Sequence, residues 1–145
     1  MRSFLIFFAI VATVSANGSV RMARDIVGHP KILDATLDYL RKVVAILDSS
    51  NPGQIESMID AQFVFHGCGI NMNKDNAVRQ LSNKPFGDDY VITLRMAKIS
   101  PPGGQSHFTA EIVIEGMKGV HNVEIEIYNT NTEMLKIYMA TATKC

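Results

Sequence analysis

The stretch HFTAEIVIEGMKGVHNVEIEIYN, residues 107–129, decides the fold. Phe108, Ala110, Ile112 and Ile114 alternate with His107, Thr109, Glu111 and Glu115. Gly116 to Gly119 turns the chain, after which His121, Val123, Ile125 and Ile127 alternate with Asn122, Glu124, Glu126 and Tyr128. Successive side chains of a strand point to opposite faces. The stretch therefore predicts two antiparallel strands, over 107–115 and 120–129, with one covered face. Two more strands flank them. Met134–Thr143, after a turn over Asn129–Glu133, sets Leu135, Ile137 and Met139 opposite Met134, Lys136 and Tyr138. Tyr90–Ile99 has the inward set Ile92, Leu94 and Met96 and is broken by Pro101-Pro102-Gly103-Gly104.

Upstream the period changes. Ile32/Leu33, Thr36/Leu37, Leu40, Val43/Val44 and Leu47 recur at helical steps behind Pro30, whose fixed φ suits the first position of a helix. This long amphipathic helix is the expected cover for the sheet. Asn51-Pro52 opens a short second helix through about Ala61, and Phe63–Cys68 reads as a strand by its aromatic and β-branched content. After a Gly-Ile-Asn turn, Asn73 caps a third helix running to Ser82, and Asn83–Asp89 is a loop. The order predicts an α+β domain over residues 30–145, a curved antiparallel or mixed sheet of about five to six strands wrapped on the long helix. Residues 17–29 show no periodicity and read as a flexible arm.

The first 16 residues have the three parts of a secretory signal peptide. Arg2 supplies the positive end, Phe4–Val11 begins an uncharged apolar run, and Val14-Ser15-Ala16 offers small residues before a cut. The run is shorter than the roughly 20 residues needed to cross a bilayer. A secreted, extracellular protein is expected, with no membrane attachment after cleavage. Losing Arg2 takes the 14 basic side chains to 13 against 14 acidic ones, a balance that argues against nucleic acid as a partner. In an oxidising compartment Cys68 and Cys145, the two cysteines, are expected to pair; free or intermolecular thiols are the rival reading. Asn17-Gly18-Ser19 is a glycosylation sequon.

The order of elements resembles the nuclear transport factor 2-like superfamily, a cystatin-like α+β cone. The likeness is carried by the leader, by FVFHGC (Phe63–Cys68), by NKDNAVRQL (Asn73–Leu81) and by the terminal Cys145, and it is nearest to small secreted members. The resemblance implies a cone closed by a long first helix and a strand meander. It also implies a range of uses, from ligand binding to isomerase-, cyclase- and dehydratase-like catalysis. Isomerase-like members carry an acidic base on the early strand, whereas Phe63–Cys68 holds no Asp or Glu.

Candidate chemistry is sparse. His121 shares its parity with Val123 and Ile125, which points it to the covered face, where an imidazole could carry protons near neutral pH. His66 faces outward if Phe63 and Phe65 face the core, and lines the cone if Val64 does. Tyr90 could donate to a ligand carbonyl, and a pairing of His66 with Tyr90 or Asp60 is the case to test. His29, His66, His107 and His121 lack ligand spacing, so no metal is expected, and nothing calls for a cofactor. The stripe Glu111, Glu115, Glu124 and Glu126 is expected to pair across strands with Lys98 and Lys136, and Glu124 with Glu126 to block edge pairing. A charged outer face favours a monomer or a weak homodimer.

Two roles follow. The preferred one is non-catalytic: a cone lined by Phe63, Phe65, Tyr90, Ile92, Leu94, Ile112, Ile125 and Met139 holds a small apolar ligand, or is filled and supports contact with a protein partner. The alternative is an isomerase- or cyclase-like enzyme with His66 or His121 as base and Tyr90 as oxyanion donor.

Overall fold

A computed structural model describes residues 18–99, 107–116, 118–129 and 135–144. The leader, Asn17, the Pro101–Gly104 break, most of the turn after Asn129, Met134 and Cys145 lie outside the described residues. Helix α1 spans Pro30–Ser49 with Pro30 in its first turn. His29 caps it, its Nδ1 accepting from the Lys31 amide at 3.2 Å. One face of α1 is buried through Leu33, Leu37, Leu40, Val43, Val44 and Leu47. Helix α2 is Pro52–Ser57, and Asn51 Oδ1 accepts from Gly53 N at 2.9 Å and Gln54 N at 3.3 Å. Helix α3 is Lys74–Ser82, where Asn73 Oδ1 accepts from Asn76 N at 3.0 Å. Both asparagine caps stand where the sequence puts them.

Seven strands form one sheet among the described residues: β1 (Ser19–Val27), β2 (Ile59–Gly67), β3 (Ile70–Asn73), β4 (Val91–Ile99), β5 (His107–Gly116), β6 (Gly119–Asn129) and β7 (Leu135–Ala142). Their spatial order is β1-β4-β5-β6-β7-β2-β3. The meander β4 to β7 is antiparallel, while β1 joins β4 and β2 joins β7 in parallel. The sheet is thus mixed, with one strand more than the expected upper count. Its concave face, with Ile92, Leu94, Ala97, Ala110, Ile112, Ile114, Ile125 and Ile127, meets α1 in the buried core.

Several expectations are corrected. The segment expected to be a loose arm is edge strand β1, Ser19 pairing with Val91 and Val20 with Ile92. Only Val20, Ala23 and Ile26 are half-buried, because the register shifts between Met22 and Val27, so no period-two signal could show. The Gly-Ile-Asn turn contributes to strand β3 against β2. The second helix stops at Ser57, and β2 begins at Ile59, four residues before its expected start. Strand β6 lies inside the sheet rather than at an edge, so Glu124 and Glu126 guard no edge.

The expected Glu–Lys ladder is replaced as well. Lys98 faces Thr109, Lys136 faces Tyr128, and Glu124 faces Glu111. Glu115 meets Arg21 at 4.0 Å instead. Like charges directly opposite each other destabilise a sheet by roughly 0.2–1 kcal/mol. Glu124→Gln is therefore expected to raise the urea midpoint by a corresponding amount, and an unchanged or lowered midpoint would show that the pair costs nothing.

Candidate functional site

A cavity of about 540 Å³ opens between the concave face of the sheet and the helices. Its wall is laid down by strand parity. Phe63 and Phe65 come from β2, Ile92 from β4, Ile112 and Ile114 from β5, Val123 and Ile125 from β6, and Ala140 and Ala142 from β7. Helices close it with Leu40, Val43 and Leu47 of α1 and Ala77 and Leu81 of α3. Small side chains explain why space remains. Ile125 is flanked across the strands by Ala110 on one side and Ala140 on the other. Beside them Gly67 admits the Phe65 ring, since a Cβ there would sit 2.6 Å from Phe65 Cζ.

The lining grades outward. Leu40, Ile59, Ile92 and Ile125 are buried, whereas Ile70 is 59% and Val120 61% exposed. His121 and Lys144, also lining residues, are exposed. The exposed end is the mouth, with Cys68, Gln80 and Asn122 beside it. Ligand pockets are typically on the order of 300–1,000 Å³ and mostly apolar, and this one matches on both counts.

Of the expected lining, Phe63, Phe65, Ile92, Ile112 and Ile125 border the cavity. Leu94 is fully buried in the core instead. Met139 is displaced outward. The β6–β7 register shifts between Glu126 and Ile127, so that Met139 faces Glu126 and Ala140 takes its place opposite Ile125. A one-residue irregularity exchanges the faces of everything beyond it.

The three catalytic candidates do not converge. Phe63 and Phe65 face the cone, so His66 points outward and is exposed, its Nδ1 3.3 Å from Asn71 Oδ1. Tyr90 is buried and borders a separate crevice of about 20 Å³, room for a single water. Its hydroxyl donates to Asp48 Oδ1 at 3.2 Å and its ring stacks at a tilt on Phe86. Only His121 reaches the cavity, where its ring meets the edge of Phe86 at 5.7 Å between centroids. Among the described residues no three His, Cys, Asp or Glu side chains gather into a metal-sized group.

The sequence reading missed a polar cluster on the convex face. His107 stacks on Tyr128, and Tyr138 meets both edge-on, with all three ring centroids 5.7 Å apart. Tyr128 donates to Asp60 and Tyr138 to Glu126. Asp60 thus lies on β2, and its carboxyl is held below the usual range, first by the Tyr128 hydroxyl and further by the Gln62 amide and the charges of Lys136 and Lys74. The outward parity of His107 on β5 and of Glu126 and Tyr128 on β6 was legible; the extension of β2 to Asp60 was not.

All four tyrosines resist ionisation. Burial raises Tyr39 and Tyr90, the latter helped by Asp48, while the carboxylate bonds of Asp60 and Glu126 raise Tyr128 and Tyr138, Tyr138 to about 12. A phenol raised in the folded state above its unfolded value near 10 contributes stability that is complete below pH 10 and is lost as pH climbs through the folded value. Phenolate absorbance of the folded protein is expected to lag well beyond pH 10, while in urea the same groups titrate together near 10. Coincident curves would contradict the hydrogen bonds and burial described.

The comparisons with known proteins fit this geometry. The family profile of the NTF2-like domain matches residues 34–145. No curated protein matches the chain. Among solved structures, an NTF2-like protein of unknown function from Silicibacter pomeroyi superposes with a TM-score of 0.62 at 7% identity, covering 80% of this chain and 98% of its own. One from Shewanella baltica gives 0.61 at 9% identity, covering 80% and 95%. An NTF2-like protein from Cytophaga hutchinsonii gives 0.55 at 14% identity, covering 78% and 98%. At such identities the structures speak for the fold alone, and with the profile over most of the chain they lead to one statement: this chain belongs to the NTF2-like domain family.

Proposed function

We propose that this protein is a secreted, single-domain ligand binder that holds a small apolar molecule in its cone without catalysing a reaction. The cavity of about 540 Å³ with its aliphatic and aromatic wall carries the reading. A filled scaffold would not leave that space, and an enzyme of the isomerase or cyclase type would need His66 or His121 to converge with Tyr90 on one cavity. His66 lies on the other face and the Tyr90 hydroxyl is engaged by Asp48. Residues 1–16 are its cleaved leader, and the mature protein works outside the cell as a monomer or weak homodimer.

Cys68 and Cys145 form a disulfide in this reading. Cys68 Sγ lies 3.9 Å from the carbonyl oxygen of Lys144, the neighbour of Cys145 in sequence, and both Cys68 and Lys144 line the cavity mouth. Native mass spectrometry of protein secreted from eukaryotic cells tests the whole account. The expected species begins at Asn17, resists thiol alkylation until reduced, and carries a co-purifying apolar molecule. A mass beginning at Met1, or alkylation without reductant, would remove the secretory part. A reproducibly empty protein that also refuses apolar probes would remove the ligand.

A further inference from the structure

We infer that the ligand of the cone is an amphiphile with an anionic head group, its tail lying along the aliphatic wall and its head held at the mouth by Lys144 and His121. The inference rests on the proposed ligand-binding role and specifies the ligand's chemistry.

The charges of the cavity are one-sided. Among the described residues that line it there is no Asp or Glu, and Lys144 is the one lining side chain with a permanent charge. Its place follows from the ladder. Val123 pairs with Ala142, and Thr143 N donates to Asn122 O at 2.9 Å, so the antiparallel register runs on to set His121 across from Lys144. Both carry the cone-facing parity of Val123 and Ala142, and both line the mouth. Lys144 makes no ion pair with any described residue. Asn122 and Gln80 add amides to the same rim.

An ammonium and an imidazole at one mouth both offer hydrogen bonds to an anion, and the ammonium's bond, being charge-assisted, is about twice as strong as a neutral one. A cationic head would meet repulsion and no acceptor carboxylate. A purely neutral hydrocarbon would leave both donors facing water and gain nothing from them. Two exposed aliphatic side chains, Ile70 and Val120, form the lip between head and tail. An exposed apolar lip beside an apolar cavity suits a molecule that enters tail first.

The test is displacement of a neutral fluorescent probe, N-phenyl-1-naphthylamine, from delipidated protein by four dodecyl compounds kept below their micellar concentrations. These are dodecanoate, dodecyl phosphate, dodecanol and dodecyltrimethylammonium. The expected result is that at least one anion displaces the probe at about ten-fold lower concentration than the alcohol, equivalent to roughly 1.4 kcal/mol, with the ammonium weakest. Whichever anion leads tells carboxylate from phosphate. The double variant Lys144→Met, His121→Phe is expected to erase the anion's advantage, read as the ratio of the alcohol's to the anion's displacing concentration, which falls to about one. Equal displacement by anions and alcohol in the unaltered protein overturns the head-group assignment and leaves the apolar cavity standing. Failure of the probe itself to bind overturns the cavity reading and this inference with it.

Discussion

Ala140→Phe is expected to weaken binding of a neutral apolar probe at least ten-fold, about 1.4 kcal/mol, while the protein stays folded. Ala140 is buried on β7, beside Ile125 of β6 and Phe65 of β2, and lines the cavity. A ring added there enters open space rather than a packed core, so the strain of about 1–3 kcal/mol that overpacking usually brings should be largely absent. Aromatic residues also suit the pleated strand. A fluorescence titration checks the affinity and circular dichroism the fold. Unchanged affinity in a folded variant would mean that the probe, and the ligand it stands for, sits elsewhere.

Leu94→Ala is expected to cost about 2–5 kcal/mol of stability, as for other leucines removed from well-packed cores. Leu94 has no exposed surface, faces Ile112 across β4 and β5, and does not line the cavity. The two substitutions should therefore separate. Ala140→Phe affects the ligand and spares the fold; Leu94→Ala affects the fold and leaves the affinity of the surviving folded molecules close to the original. Urea denaturation read beside probe titration checks both. A loss under 1 kcal/mol for Leu94→Ala would show that this part of the core relaxes around the gap.

The meander could be read from its side chains because alternation survives wherever one face is buried and the register is regular. On β5 and β6 parity alone places Ile112 and Ile125 in the wall and His121 at the covered side, where the structure has them. The same rule failed on β7 beyond the shift at Glu126, which nothing in LKIYMATA announces, so Met139 was assigned the place that Ala140 holds. Strand β1 was illegible for a related reason: an edge strand with an irregular register buries too little to impose a period. Asp60 escaped because Ile59-Asp60-Ala61-Gln62 has no strand signature of its own and is held by pairing with β7 at Ile59 and by the Tyr128 bond. The mouth depends on long-range neighbours. Lys144 and His121 are 23 positions apart and reach one mouth through the β6–β7 ladder and the Thr143–Asn122 bond that follows it.

The account stands on the cavity taking an apolar guest. The most direct measurement is a fluorescence titration of N-phenyl-1-naphthylamine into the purified, delipidated protein. The account predicts a saturable, blue-shifted emission that fits one site per chain and is lost in Ala140→Phe. A linear, unsaturable signal that the Ala140→Phe variant shares would contradict it.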